Sequence, residues 1–433
     1  MNSDKLLEKI NLNIKRCLEA DFYFDKLIDS KKKLDSISEI EALPLTFKSE
    51  LQKAGVNGRL ATPMRNIVEY HESFGTTGIP ISTMLTKNDF SQWANQISEC
   101  AVDFSENDIV LVRFPYAISD PAHIVQAAAK EAGACVVPVS SRTFISPHRR
   151  VIDLLHKLKA TVIGCMPLEA IMLGETAKLL GFNPKKDFPH LRAFCTAGEL
   201  LSEKRKRYIE ELWNVKVYNM YGTTETGNIA SACNQGHLHV SSNHFYVEVL
   251  EPKNWKKVAS GEQGILVVTT LTLEGMPLLR YVTGDIVTLL PVHKEHNCGK
   301  ESDIICVYGR ETEKIMANGN MLWPIEVQNA IYGNMAENMG AFWTVGSDGK
   351  GLLITCEAKE ISLSEKCEQQ ISKELGCNVH LKLVEEGELF ERSKLLDNTP
   401  VKKPCYMYPI ADCSDICNYK RFDDVLEGYH VFR

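Results

Sequence analysis

The chain has 433 residues and a net charge of −7, from 49 Lys and Arg residues against 56 Asp and Glu residues. Hydrophobic residues make up 44% and charged residues 24% of it, which is typical of a globular protein and argues against intrinsic disorder. This length allows about two or three domains, and the slight acidity argues against a general nucleic-acid binder.

Signals for export or membrane insertion are absent from the sequence. The N-terminal segment lacks the apolar core of a signal peptide, and no stretch approaches roughly 18 uninterrupted apolar residues, so we expect no membrane span. Fourteen cysteines without an export signal indicate reduced thiols, a metal site or ordinary packing. A cytoplasmic protein is therefore expected.

The hydrophobic pattern predicts layered α/β structure through most of the chain. An amphipathic helix is predicted at the N-terminus. Its apolar stripe consists of Leu6, Leu7, Ile10, Ile14 and Leu18. Short apolar strands then alternate with helical stretches, which favours parallel α/β layers. The predicted strands are 108–114, 134–140, 160–166 and 192–198, and the helices between them include 122–133 and 147–159. Closely spaced β-rich segments at 247–250, 264–271 and 286–290 predict a smaller antiparallel unit.

The pattern changes to a lesser α+β unit after Gly309 and Arg310. Pro324 begins a helical stretch, and the segments 352–358 and 379–385 are predicted strands. We therefore expect an N-terminal domain over residues 1–308 and a C-terminal domain over residues 309–433. The tail from residue 404 shows no clear period.

A loop rich in glycine and threonine follows the apolar run 67–70. In the segment 73–78, SFGTTG, two glycines flank two hydroxyl residues, so backbone N–H groups and hydroxyls can face an anion. The Gly-Lys-Ser/Thr of a Walker A loop is missing, which disfavours a P-loop hydrolase. Taken alone, such a loop is also common as a purely structural turn.

Three further polar segments follow in order: 218–225 (YNMYGTTE), 280–285 (RYVTGD) and 309–313 (GRETE). In the first, a carboxylate beside hydroxyls at a strand end suits a Mg²⁺ ion that carries nucleotide phosphates, and Tyr221 offers a flat face to a base or an aryl ring. Taken alone, each segment is more often an ordinary turn or strand end.

Together, the four segments in this order resemble the adenylate-forming acid–thiol ligases, most closely the phenylacetate–CoA ligase-like branch. The resemblance covers roughly residues 10 to 395 and includes the segments 43–51, 133–140, 244–250 and 269–281. It implies a large layered α/β domain with a β-rich subdomain and a small mobile α+β lid at the C-terminus. The implied reaction activates a carboxylic acid with ATP as acyl-AMP, releases pyrophosphate and then transfers the acyl group to a thiol.

The resemblance assigns ATP contacts to all four segments and to the end of the strand at 192–198. The family-like contacts fall on Ser73, Gly75, Thr76, Thr77, Gly78, Ala197, Gly198, Glu199, Asn219, Met220, Tyr221, Gly222, Thr224, Asp285 and Arg310. Thr224 and Glu225 match a catalytic pair that binds phosphate and Mg²⁺. The carboxylate of Asp285 would accept hydrogen bonds from both ribose hydroxyls.

The branch also uses a lysine from the C-terminal domain for adenylation. Lys394 is the first choice here, with Lys402 or Lys403 as alternatives. The chain departs from the branch at Phe74, Ile79, Thr312 and Asn318. These departures and the irregular tail favour the alternative of a catalytically impaired nucleotide-binding or scaffolding homologue.

The acid pocket is expected beside Phe114, Tyr116, Ser140 and Gly227. An aromatic lining suits an aryl or arylacetic acid such as a hydroxybenzoate, although the same rings are equally typical of core packing. The thiol would be coenzyme A or the phosphopantetheine arm of an acyl or peptidyl carrier protein. Homologues of the branch are often dimers, so a homodimer is one option; neither nucleic acid nor membrane is an expected partner.

A group of cysteines and histidines lies at positions where the branch has metal ligands. Cys233 and His239 follow the Tyr221 segment, and His296 and Cys298 come later in the chain. Four nitrogen and sulfur ligands suit a closed tetrahedral Zn²⁺ site of structural type. The alternative is a His-rich surface loop with a free thiol.

Overall fold

A computed structural model of the chain describes residues 2–73, 79–292, 298–335, 338–347, 349–396 and 407–409. The chain divides into two units, each assembled from separate stretches of sequence. Unit 1 comprises Met1–Val137, Cys195–Gly198 and Tyr218–Val307, and unit 2 comprises Pro138–Phe194, Glu199–Val217 and Tyr308–Arg433. The boundary predicted between residues 308 and 309 remains a prediction.

Several helices begin where the sequence supplies a cap or a proline. The side chains of Asn2, Thr86 and Ser202 accept backbone N–H groups of the first helical turn, while Pro121 and Pro324 begin helices at a position that needs no N–H donor. The helices are α1 (Ser3–Cys17), α2 (Asp21–Lys26), α3 (Lys48–Arg59), α4 (Lys87–Ser98), α5 (Pro121–Glu131), α6 (His148–Leu158), α7 (Pro167–Leu179), α8 (Glu203–Trp213), α9 (Pro324–Met335) and α10 (Ser364–Leu375).

The strands are short in the α/β layers and longer in the antiparallel part. They are β1 (Thr46–Phe47), β2 (Ile67–Glu72), β3 (Ser82–Thr86), β4 (Ile109–Val112), β5 (Cys135–Pro138), β6 (Val162–Cys165), β7 (Ala193–Thr196), β8 (Lys216–Thr223), β9 (Gly227–Ala232), β10 (Leu238–Val240), β11 (Phe245–Leu250), β12 (Gly264–Thr270), β13 (Tyr281–Leu290), β14 (Ile304–Arg310), β15 (Ile315–Ala317), β16 (Asn320–Leu322), β17 (Met339–Ser347), β18 (Leu352–Ala358), β19 (Val379–Glu385) and β20 (Met407–Pro409).

Unit 1 is organised around a sheet in the order β11-β12-β13-β14-β10-β9-β8, with β7 beside β8. The pairs β11–β12, β12–β13, β10–β14, β9–β10 and β8–β9 are antiparallel, which confirms the predicted antiparallel β-rich region. The stripe of α1 is also confirmed, because Ile10 and Ile14 are fully buried with Leu271 and Leu279 in one core cluster. The N-terminal helix therefore packs on the antiparallel part of the sheet.

Unit 2 contains a second sheet in the order β19-β18-β17-β20. Buried side chains of α9 and α10, including Val327, Ile331 and Ile371, share one core with this sheet. Helix α8 packs against α9, and the rings of Tyr208 and Tyr332 lie 5.4 Å apart. The segments predicted as strands at 352–358 and 379–385 are β18 and β19 over their full length.

The predicted α/β fold class is confirmed. The four predicted strands of the alternating region appear as β4 to β7, each shorter at its ends than the apolar run, and the helices predicted at 122–133 and 147–159 are α5 and α6. Within the described residues, no helix combines the length and apolar composition that crossing a membrane requires.

Candidate functional site

A tight turn between β8 and β9 holds Thr224 and Glu225. Two flanking threonines close this turn: the Thr226 N–H donates to the Thr223 carbonyl at 3.2 Å, and the Thr223 N–H donates to Thr226 Oγ1 at 3.3 Å. A Cβ atom at Gly222 would collide with the backbone of the facing strand, so glycine is required there. The turn therefore presents a hydroxyl and a carboxylate side by side at a strand end.

The carboxylate of Glu225 is buried and electrostatically compensated. Its Oε1 accepts the hydroxyl of Tyr281 at 2.8 Å and lies 3.4 Å from Nζ of Lys48. Burial alone would raise the pKa of Glu225, but the Lys48 charge and the Tyr281 hydroxyl outweigh it, so this pKa lies below its usual value. Glu225 is therefore ionised at neutral pH, and its oxygens fit the ligand preference of Mg²⁺.

Lys48 is a site residue that the sequence analysis missed. It begins α3 within the segment 43–51, which was matched to the branch without being given a chemical role. A lysine at a helix start has no local signal that identifies its partner. Only the long-range pairing with Glu225 shows that this segment belongs to the site.

Asp285 and Tyr221 are joined directly. The Tyr221 hydroxyl donates to Asp285 Oδ2 at 2.6 Å, and the Asp285 N–H donates to Oγ1 of Thr283 at 3.1 Å. Asp285 is buried, with 7% of its surface exposed. The contact between β8 and β13 therefore orients the carboxylate predicted for ribose and holds the aromatic ring predicted for the base.

The strand ends predicted to contact adenine lie next to each other in unit 1. Oγ1 of Thr196 donates to Oδ1 of Asn219 at 3.1 Å, and the Met220 sulfur lies 3.7 Å from Sγ of the buried Cys195. Ala197 is half-buried, and Gly198 is exposed with φ of 84°. The end of β7 and the middle of β8 thus bring four of the predicted residues to one place.

The base of the predicted phosphate loop is closed by a reciprocal pair. The Ser73 N–H donates to the Ile81 carbonyl at 2.9 Å, and the Ile81 N–H donates to Ser73 Oγ at 3.0 Å. The Glu72 N–H donates to the Ile118 carbonyl at 3.0 Å, which ties this base to the loop before α5. Four predicted loop contacts lie outside the described residues, namely Gly75, Thr76, Thr77 and Gly78.

The predicted acid-pocket residues of unit 1 differ in their environments. Phe114 is 1% exposed and belongs to the core, whereas Tyr116 is half-buried and its hydroxyl donates to Gln126 Oε1 at 3.0 Å. Burial raises the pKa of Tyr116 to about 12, so its hydroxyl is protonated at neutral pH. Gly227 lies against Trp93: a Cβ atom would come within 2.7 Å of the indole ring, and φ is 74°.

Asp120 is a buried acid that the sequence analysis did not single out. It precedes α5 without making a side-chain cap. Burial, supported by the nearby charge of Glu225, raises the pKa of Asp120 to about 7. A carboxyl group in such surroundings favours its neutral form.

Replacing Asp120 with asparagine should stabilise the protein at pH 7.5 and have little effect at pH 4. The raised pKa means that the folded state binds a proton between pH 4 and about 7 that the unfolded state releases, so wild-type stability falls as pH rises through this range. The difference in unfolding free energy should reach at most about 4 kcal/mol above pH 7. Denaturant unfolding at several pH values measures it, and a pH-independent difference would contradict the assignment.

Glu199, a predicted site residue of unit 2, directs its side chain into the protein. Its Oε2 accepts the Leu168 N–H at 3.3 Å and lies 3.2 Å from Nη1 of the fully buried Arg205. The carboxylate of Glu199 is therefore held inside the protein, with 3% of the side chain exposed. The sequence could not reveal this, because the ion pair depends on how α7 and α8 pack.

The other predicted residues of unit 2 occupy loops and element ends. Ser140 has a φ of 42° and donates to the Ser141 carbonyl at 3.1 Å. Arg310 is exposed at the end of β14, and Lys394 is half-buried in a 3₁₀ turn, Arg392–Leu395. The alternatives Lys402 and Lys403 lie outside the described residues.

One departure from the branch has a local structural reason. Asn318 and Gly319 connect β15 to β16 with φ values of 51° and 77°. Two-residue hairpin turns of this kind need positive φ at both positions, which strongly favours an Asn-Gly pair. Asn318 is thus explained by the turn, whereas nothing in the structure explains Thr312.

Three predicted zinc ligands converge in unit 1. The sulfur atoms of Cys233 and Cys298 and a ring nitrogen of His239 all lie within 4.8 Å of one another. Sγ of Cys298 is 3.5 Å from His239 Nε2, close to the N···S separation of about 3.6 Å that tetrahedral Zn–N and Zn–S bonds imply. His296, the fourth predicted ligand, lies outside the described residues.

The orientation of His239 suits a ligand. Its Nδ1 lies 2.7 Å from the Ser302 carbonyl oxygen. A carbonyl only accepts, so Nδ1 carries the proton and the Nε2 lone pair faces Cys298. This arrangement, with one ring nitrogen held by a carbonyl and the other directed at the site, is usual for metal-binding histidines. The described residues therefore fit a zinc ion.

Comparison with known proteins shows what this chain is similar to in sequence. Residues 73–273 match the family model of the AMP-binding enzymes. A phenylacetate-coenzyme A ligase of Thermus thermophilus is 27% identical over 321 residues, covering 71% of this chain and 70% of the relative.

Solved structures show the same fold. A 2-hydroxyisobutyryl-CoA ligase in the postadenylation state, in complex with 2-HIB-AMP, is 20% identical with a TM-score of 0.85, covering 94% of this chain and 90% of that one. The same enzyme in the thioesterification state, with 2-HIB-AMP and CoA, gives a TM-score of 0.68 at 20% identity, covering 94% and 89%.

Proposed function

This chain belongs to the phenylacetate–CoA ligase-like branch of the AMP-binding enzymes, and from that premise we propose that it activates an aromatic carboxylic acid with ATP and transfers it to a thiol. The protein is an AMP-forming acid–thiol ligase. The observation that supports the site assignment most directly is the hydrogen bond from Tyr221 to Asp285, since it unites the ring proposed for the base with the carboxylate proposed for ribose.

In the first half reaction, we propose that the protein acts by positioning. Asp285 accepts the ribose hydroxyls, Thr224 and the loop after Ser73 bind phosphate oxygens, and Glu225 holds Mg²⁺. The metal supplies positive charge to the phosphates. The carboxylate of the acid attacks the α-phosphorus and pyrophosphate leaves, so no protein nucleophile is required. Orientation and charge stabilisation provide the catalysis.

The second half reaction is proposed to follow a rotation of residues 309–433. Lys394 is proposed to serve adenylation before this rotation, and the thiol then attacks the acyl carbon and releases AMP. The structural relative supports such a motion, because that enzyme has been solved in both a postadenylation and a thioesterification state. Coenzyme A is the proposed thiol, as in the relatives' names; a carrier protein is the alternative acceptor.

The proposed acid is aromatic, as for the phenylacetate-coenzyme A ligase of Thermus thermophilus. Tyr116 supports this proposal, because its half-buried ring offers an apolar face and its protonated hydroxyl a polar contact. Phe114 would act only as support from the core. A homodimer and a cytoplasmic location remain predictions.

Pyrophosphate exchange tests the proposed function. Purified protein is incubated with ATP, Mg²⁺, labelled pyrophosphate and single acids, including phenylacetate, hydroxybenzoates and 2-hydroxyisobutyrate. We expect exchange with at least one aromatic acid and weaker exchange with the aliphatic one. AMP binding without exchange for any acid would instead favour the impaired homologue. Coenzyme A and a phosphopantetheinylated carrier protein are then compared as acceptors.

We further propose that Cys233, His239 and Cys298 hold a structural zinc ion, with His296 as fourth ligand. Purified protein should contain about one zinc per chain, and Cys298→Ser should lose most of it. Cys306→Ser, which changes an exposed thiol, is the matched control and should keep the metal. Elemental analysis measures the content. A folded wild-type protein without zinc would rule the site out.

A further inference from the structure

Gln328 connects α9 to the turn that precedes α8. The Ser202 N–H donates to Gln328 Oε1 at 2.7 Å, and Gln328 Nε2 donates to the Leu200 carbonyl at 3.4 Å. The glutamine is 3% exposed; its bond with Ser202 is buried and its bond with Leu200 is part-buried. One amide thus matches both a backbone donor and a backbone acceptor, because it carries a carbonyl oxygen and an NH₂ group.

The turn that Gln328 contacts follows directly after the segment 197–199, which is assigned to adenine. The same turn is held from its other side by Arg205, whose Nη1 donates to the Leu200 carbonyl at 3.3 Å and lies 3.2 Å from Glu199 Oε2. Ser202 also caps α8 through the Arg205 N–H. Gln328 therefore links this turn to α9, and Arg205 holds it from α8.

Helix α9 is in turn tied to the residue beside Arg310. Gly309 has a φ of 127°, and a Cβ atom there would lie 2.8 Å from the ring of Pro324, the first residue of α9. The first residue of α9 therefore packs directly against the backbone of Gly309, and we expect a displacement of the chain there to be passed on to α9 and Gln328. Unlike an ion pair, the Gln328 contacts are neutral, so they can separate without leaving a charge buried and unpaired.

We propose that Gln328 is a positioning residue. Its hydrogen bonds hold the 199–202 turn in place for acyl-AMP formation and break for thiol transfer. This inference rests on the proposed function and on the rotation proposed for residues 309–433. It assigns Gln328 a role in the first half reaction alone. A residue needed only for folding would affect both half reactions equally.

Measuring the half reactions separately tests the proposal. Gln328→Leu keeps the size and removes both bonds, so single-turnover acyl-AMP formation should slow by about 10-fold, as expected for lost buried hydrogen bonds. Transfer from supplied acyl-AMP to the thiol should be unchanged or faster. Equal losses in both half reactions, or normal acyl-AMP formation, would overturn the proposal.

Asn329→Ala is the matched control. Asn329 is the next residue of α9 and also accepts a backbone N–H of α8, from Lys204 at 3.2 Å, but this bond is exposed. The Asn329 variant should behave like the wild type in both half reactions. If the leucine variant does not fold, Gln328→Met replaces it, because methionine is similar in length and also removes both bonds; it should show the same defect.

Hydrogen exchange with AMP as the probe gives a readout that needs no turnover. AMP should increase protection of the Ser202 amide in the wild type and in Asn329→Ala, and not in Gln328→Leu. Equal protection in all three proteins, or no AMP effect in the wild type, would overturn the role of Gln328. Absence of pyrophosphate exchange in the wild type would instead count against the proposed function, so the two failures are distinguishable.

Discussion

Replacing Asp285 with alanine should lower kcat/KM for ATP by about 100-fold, because ribose would lose a charged acceptor for two hydroxyls and each charge-assisted bond is worth about 1.5 to 3 kcal/mol. The loss should appear mainly as a higher KM for ATP, and AMP affinity should fall in parallel. Pyrophosphate exchange at varied ATP and calorimetric AMP titration measure the two effects.

Tyr221→Phe is the companion variant for this test. It keeps the ring and removes only the hydroxyl that donates to Asp285. We expect about a 10-fold loss, since the carboxylate is retained but less well oriented. ATP kinetics that are unchanged in Asp285→Ala would refute the ribose assignment and, with it, the location proposed for the nucleotide.

The Glu225→Gln variant should reduce the rate of acyl-AMP formation by roughly 100- to 1000-fold, the scale seen when one preorganised electrostatic contact is removed. Glutamine can still accept the Tyr281 hydroxyl, so the turn should keep its shape while the charge proposed to hold Mg²⁺ is lost. The Mg²⁺ concentration needed for half-maximal rate should rise. Titration of Mg²⁺ at saturating ATP measures this, and normal metal dependence would contradict the assignment.

The pH dependence of Lys48→Met gives an independent check on Glu225. Lys48 opposes the effect of burial on this carboxyl group, so its removal should raise the pKa of Glu225. Because the ionised form is the one proposed to act, the acid limb of the rate–pH profile should shift to higher pH in the variant. An acid limb that stays in place would mean that another group controls it.

The order and type of the elements could be predicted because they depend on local patterns. Alternating apolar runs identified β4 to β7, and the stripe on α1 identified its buried face. The strand ends were overestimated, since apolar residues continue into the loops that flank each strand. The antiparallel part was recognisable from its closely spaced β-rich segments.

The connections between distant residues could not be predicted in the same way. The Lys48–Glu225 ion pair, the Tyr221–Asp285 bond and the burial of Asp120 all depend on which strands become neighbours. The burial of the aromatic residues could not be predicted either. The sequence pattern does not distinguish Phe114 from Tyr116, whereas in the structure Phe114 lies in the core and Tyr116 is half-buried. Motif order identified the branch, but only packing separates these roles.

The contact between Gly227 and Trp93 limits what engineering can change at Gly227, a residue proposed to line the acid pocket. Any side chain at position 227 would have to displace a fully buried indole and adopt a positive φ, so libraries that vary this position should yield mostly misfolded protein. Variation at Tyr116, which is only half-buried, is the better starting point for redirecting the enzyme to other acids.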